Sequence, residues 1–258
     1  SEMCIRDSTI TLLLTKGSSK DEIRKLEKND SLEFHQEKRV WWVKQKQDNV
    51  EFAGMLEATD ESLGRIRAKL DELGLADNTI VIFTADNGGM SASNQYRGIN
   101  HSRKQLDSRF ASSNLPLRGA KGWNYEGGIR VPLVVYWPGN IKANSTSHAL
   151  VTGTDYYPTL LGMLGLPLLP NQHVDGKSFV PALKGKDHNR GAIYWHFPHY
   201  SNHGYQSPGG AIRLGDYKLL EYFENGTVQL FDLKKDIGEQ NDISESKPEI
   251  TKKLLKMQ

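Results

Sequence analysis

Cysteine is almost missing from this chain. Cys4 stands alone among 258 residues, which excludes an internal disulfide and a cysteine-built metal centre. Long apolar runs are also missing. No stretch approaches the roughly 20 residues a membrane-spanning helix needs, and the run from Ile10 to Leu14 is too brief for a signal-peptide core. Charge of one sign is not in excess: 33 Lys and Arg face 31 Asp and Glu, for a net charge of +2. Such balance gives no general pull toward nucleic acid or an anionic membrane, so an anionic ligand must be recognised locally. Internal repeats and low-complexity tracts are lacking too.

What is present begins near residue 50. Residues 1–48 show no sustained period and hold a highly charged stretch with Trp41 and Trp42 isolated in it. From there Leu56, Leu63, Ile66, Leu70 and Leu73 recur at helical spacing, and Gly74 supplies a stop. The segment "NTIVIFTADNGG" then reads as a short buried strand of a parallel sheet, ending in polar residues and glycines. "VPLVVYWPG" at 131–139 reads as a second buried strand. Asp155 is placed to cap a helix running to Leu164, with Pro158 in its first turn. A helix feeding a strand through a short loop argues for an α/β domain. After residue 191 three runs, "GAIYWHF", "GGAIRLGDYKLLEYF" and "TVQLFDL", read as strands, with a hairpin at Asn225-Gly226 and a closing helix from Pro248 to Met257.

Two segments carry chemistry. Asp86 and Asn87 leave the end of a strand, where ligands gather in open α/β sheets. Their carboxylate and amide oxygens suit a hard cation, although Asp-Asn-Gly is also a common turn. The glycines behind them are expected to let the backbone turn sharply. In "LRGAKGWNYEGGIRVP", residues 117–132, Lys121 sits between Gly119 and Gly122 and is placed to offer an ammonium to an oxyanion. Glu126 and Arg130, four apart, are placed to pair; a flexible basic loop is the plain alternative.

Taken in order, "AGMLEATDESLGRI", "TIVIFTADNGG", "NLPLRGAKGWNYEGGIRVPLVVYWPG", "DYYPTLLGMLGLP" and "VDGKSFVPALKG" resemble the C-terminal half of the sulfatase family, the type I formylglycine-dependent arylsulfatases of the alkaline phosphatase superfamily. The resemblance implies an alkaline-phosphatase-like α/β sandwich, here without its N-terminal half, and a small antiparallel β subdomain. The expected divisions are a poorly defined 1–48, a catalytic portion over 49–190 and the subdomain over 191–258.

By the same resemblance Asp86 and Asn87 correspond to metal ligands and Lys121 to the lysine that contacts the sulfate. Phosphatase-type relatives place His after the corresponding Asp. The oxygen of Asn87 favours Ca2+, with Mg2+ second. The family nucleophile is a formylglycine made from Cys or Ser in Cys/Ser-x-Pro-x-Arg. Cys4 is followed by Ile5, Arg6, Asp7 and Ser8, and "NLPLR" begins with Asn114, so no nucleophile is assigned and the chain alone is expected to be inactive.

His196 and His199, in an aromatic-rich stretch with His203, are candidate substrate contacts; hydrogen-bonded core histidines are the plain reading. Arg97, His101, Arg103, Lys104 and Arg109 are candidates for further anionic groups, and Asn100, Asn144 and Asn225 begin glycosylation sequons. The implied partner is a sulfated small molecule or polysaccharide, with no nucleic acid and no membrane span, and the implied location is periplasmic or secreted. A phosphodiesterase or phosphonate hydrolase of the same superfamily, or a non-catalytic module binding sulfated glycans, are the alternatives.

Overall fold

The computed structural model describes residues 2–5, 31–34, 37–40, 44, 46–91, 111–200 and 206–258, the first three segments by backbone alone. Within these, the strands are β1 (Glu2–Ile5), β2 (Ser31–Phe34), β3 (Glu37–Val40), β4 (Val81–Thr84), β5 (Leu133–Tyr136), β6 (Ser145–Ser147), β7 (Ile193–Phe197), β8 (Gly209–Leu214), β9 (Tyr217–Tyr222) and β10 (Thr227–Asp232). The helices are α1 (Val50–Glu72), α2 (Glu126–Ile129), α3 (Tyr156–Met163), α4 (Val180–Leu183) and α5 (Pro248–Met257). Two compact units result: 1–11 with 58–86 and 131–191, and 12–57 with 87–130 and 192–258.

The first unit holds a sheet ordered β4-β5-β1-β6. β4 and β5 pair antiparallel, as do β5 and β1, while β1 and β6 run parallel. The parallel-sheet setting expected of the first apolar run is therefore corrected: β4 pairs antiparallel with β5. A four-residue run shows no period that reports direction, and the partner decides it. β4 is also less buried than expected, with Phe83 42% exposed. Leu133 and Val135 on β5 pack with Phe179, Met163 and Leu183, and Ile80 and Ile82 join from one side. Asp155 is fully buried ahead of α3. Its carboxylate accepts the N–H groups of Thr152 and Lys177 at 2.9 and 2.8 Å and the Arg190 Nε–H at 3.0 Å. It thus braces three segments in addition to leading into the helix. α1 forms where the leucine spacing puts it and Gly74 follows at φ 64°, but no residue of α1 is buried.

The second unit holds an antiparallel sheet ordered β10-β9-β8-β7. The long run at 209–223 is two strands, because Gly215 at φ 59° turns the chain between Leu214 and Tyr217, which pair across the turn. A positive-φ glycine in the first position of a two-residue loop is a favoured hairpin turn. The β9–β10 connection is longer than the expected two-residue turn, since β9 ends at Tyr222 and β10 starts at Thr227. One face packs Ala211, Leu220 and Phe231 with Trp123 and Tyr125; the other packs Ile212, Leu219 and Leu230 against Leu254 of α5. No helix among the described residues is long and apolar enough to cross a membrane.

Candidate active site

Beyond β4 the chain presents Asp86 exposed and Asn87 half-buried. The Asn87 Nδ2 donates to the Gly88 carbonyl at 2.9 Å, which aims the amide nitrogen back along its own backbone. Gly88 N–H then donates to the Gly128 carbonyl at 2.9 Å. A Cβ at Gly88 would stand 1.8 Å from the Gly127 carbonyl oxygen. This glycine therefore serves close backbone approach, not the sharp turn expected of it.

Lys121 is half-buried, and its backbone N–H donates to the Gly89 carbonyl at 3.1 Å. Gly119 and Gly122 flank it at φ 80° and 91°. The turn carrying the ammonium is thus tied by its main chain to the segment that follows Asn87. Both belong to the second unit.

Below this junction lies a buried charge cluster. The Glu126 Oε2 meets Arg130 Nε at 2.5 Å and Arg213 Nη1 at 3.7 Å, and its Oε1 meets Lys218 Nζ at 2.9 Å. Lys218 also lies 2.8 Å from Glu239 Oε1, and the Glu126 N–H donates to Glu239 Oε2 at 2.7 Å. Arg118 Nη1 donates to the Glu239 carbonyl at 2.8 Å while its guanidinium sits 4.2 Å from the centre of the Tyr125 ring. The expected Glu126–Arg130 pair is present, and it is one part of a larger network that fastens the Lys121 segment to β8 and β9.

The two carboxylates are unequal. Burial pushes Glu126 up, but Lys218, Arg130 and Arg213 together hold it down at about 2. Burial also pushes Glu239 up; Lys218 and the Glu126 backbone N–H oppose it, the Glu126 carboxylate adds to it, and its carboxyl rises to about 7. Between the ordinary carboxyl value of 4.5 and about 7, the folded chain keeps a proton on Glu239 that the unfolded chain releases. Stability from this group therefore falls as pH rises through that window and is level above it. For Glu126 the sign is opposite: stability rises with pH between about 2 and 4.5. Glu239→Gln is expected to remove the upper slope. Its melting temperature relative to the unmodified chain should climb by a few degrees between pH 5 and pH 8. A constant difference across that range would contradict this assignment.

His196 and His199 are not equivalent. Strand alternation puts His196, opposite Gly210, on the α5 side of the sheet, where a Cβ at Gly210 would meet Gln258. The Trp123–Tyr125 turn packs on the other side with Trp195. His196 pairs with the Phe223 ring at 5.5 Å, and the exposed His199 ring lies 4.0 Å from Phe197. His203, the Arg97-to-Arg109 basic residues and Asn100 lie outside the described residues, as do Trp41 and Trp42.

Among the described residues, no group of three or more His, Cys, Asp or Glu side chains is placed to hold a metal ion. The carboxylate of Asp86 and the amide of Asn87 are hard oxygen donors and so fit calcium chemically. They would supply two ligands of the six to eight such an ion takes.

Three participants escaped sequence reading. Lys218 alternates with Leu220 and Tyr222 on the core side of β9, a charged residue in an apolar register that could have been flagged. Glu239 and Asn114 carry no local signal.

Comparison with known proteins identifies the family of the chain. The sulfatase family model matches residues 19–166, and the model of the N-sulphoglucosamine sulphohydrolase C-terminal region matches residues 120–258. A sulfatase of Formosa agariphila is 32% identical over 77% of this chain and 36% of its own length. Arylsulfatase A of Homo sapiens is 31% identical over 80% of this chain and 42% of its own. A crystal structure of Ps i-CgsB in complex with k-i-k-neocarrahexaose superimposes with a TM-score of 0.65 at 29% identity, over 83% of this chain and 43% of that one. The chain thus spans less than half the length of these relatives, and its α/β fold with antiparallel sheets is part of the alkaline-phosphatase-like architecture. With two family models that each match over half of it, this chain belongs to the sulfatase family.

Proposed function

We propose that this chain carries the cation-binding and sulfate-contacting half of a sulfuric ester hydrolase acting on sulfated carbohydrate. Asp86 and Asn87 are the metal ligands in this reading, and Lys121 is the catalytic contact to the sulfuryl group. The observation that supports it is the bond from the Lys121 backbone to the Gly89 carbonyl. It ties the ammonium-bearing turn to the segment that leaves the Asp86–Asn87 pair. A bound calcium ion would supply positive charge to the sulfuryl oxygens. Lys121 brings a compact ammonium with three donors to the same group, and charge fixed before reaction is stabilising where negative charge develops.

Carbohydrate is favoured as substrate because a structurally similar protein holds k-i-k-neocarrahexaose, and because His199 and Phe197 form a ring pair near the subdomain edge. His196, on the α5 side of the sheet, is left out of the contact set. No Cys/Ser-x-Pro-x-Arg motif occurs in these 258 residues, so the chain on its own binds without turnover. The reading places the full-length enzyme in the periplasm or outside the cell.

Isothermal titration with glucosamine 6-sulfate and with glucosamine tests the reading. Binding of the sulfated sugar alone is expected, weakened about tenfold on addition of a calcium chelator. Equal binding of both sugars, or indifference to chelation, contradicts it.

A further inference from the structure

We infer that Asn114 is a positioning residue that locks the Asn87 segment to the Lys121 turn, so that cation and sulfate binding are coupled through its side-chain amide. The inference rests on the roles proposed above for Asn87 and Lys121.

The Asn114 Nδ2 lies 2.8 Å from the Gly89 carbonyl, 3.0 Å from that of Gly127 and 3.1 Å from that of Gly119, with Ser91 Oγ at 3.2 Å. Gly89 follows Asn87, Gly119 precedes Lys121 by two residues, and Gly127 lies in α2. One NH2 group therefore sits among acceptors from three separate segments. It has two hydrogens to share among four acceptors, so each bond is shared and the acceptors are held around a common centre. An Asp here would aim a carboxylate oxygen at three carbonyls.

Two further features pin the amide. A Cβ on Gly89 would stand 2.7 Å from Asn114 Oδ1, so the amide occupies the space a side chain would take. Beside it, Gln47 holds the Ser113 backbone at both ends, accepting its N–H at 3.1 Å and donating to its carbonyl at 2.6 Å. A side chain so fixed transmits displacement of one loop to the other instead of absorbing it.

The test measures inorganic sulfate affinity of the 258-residue chain with and without calcium, for the unmodified protein, Asn114→Ala and Asn114→Gln. In the unmodified chain calcium is expected to tighten sulfate binding about tenfold. In both variants that enhancement should fall to about onefold while calcium and sulfate each still bind alone. A merely structural residue would lower the melting temperature and leave the enhancement unchanged, and that result overturns the inference while the proposed function stands. If neither variant folds, Asn114 is a folding residue and the inference is also overturned. If the unmodified chain shows no enhancement and Lys121→Ala binds sulfate as well as it does, the proposed function itself fails.

Discussion

Replacing Lys218 with methionine is expected to destabilise the chain by about 3–5 kcal/mol, the usual cost of stripping one partner from a buried ion pair. Lys218 is fully buried between Glu126 and Glu239. Methionine matches its length and removes the ammonium that touches both carboxylates. Glu126 keeps Arg130 and Arg213, so the burden falls on Glu239, whose carboxyl must then hold its proton more firmly. The cost should consequently grow as pH rises from 5 to 8. Chemical denaturation at both pH values measures it. The companion double variant Lys218→Met, Glu239→Gln neutralises the carboxylate left without its ammonium while Glu126 keeps Arg130 and Arg213, and it should lose less than Lys218→Met alone. A larger loss in the double variant would show that the cluster stabilises through its packing and not through charge balance.

Lys121→Ala is expected to weaken inorganic sulfate binding by roughly 10- to 100-fold, the value of a hydrogen bond to a charged group. Fold should survive, because the bond to the Gly89 carbonyl comes from the Lys121 backbone, which alanine keeps. Unchanged circular dichroism with lost affinity is the expected pair of results. Lys121→Arg is informative beside it. A planar guanidinium retains the charge but presents its donors in a fixed fork, so partial affinity should return. Full affinity in Lys121→Ala would remove Lys121 from the site.

These expectations draw unevenly on what the sequence made legible. α1 follows from leucine spacing, and the position of Asp86 and Asn87 beyond β4 follows from an apolar run that stops at polar residues. The direction of that strand did not follow, because β4 and β5 pair across 49 positions at Thr84 with Leu133 and 55 at Val81 with Tyr136, and a four-residue strand looks alike either way. The Gly215 turn was hidden inside a run whose apolar residues continue on both sides of it. The site divides similarly. Lys121 stands out through its two glycines. Lys218 meets Glu126 across 92 residues and Asn114 reaches Gly89 across 25, and contacts of that span leave no periodic mark. Gly88 was noticed for the wrong reason: its φ is ordinary, and the Gly127 carbonyl is what forbids a side chain there.

The central claim is that the cation held at Asp86 and Asn87 and the ammonium of Lys121 serve one bound sulfate. Manganese put in place of calcium, with the lysine side chains labelled for NMR, tests it most directly. The account predicts that the Lys121 signal broadens strongly when manganese binds in the presence of sulfate, while Lys252 on α5 stays sharp. A Lys121 signal as sharp as that of Lys252 at saturating manganese would contradict it.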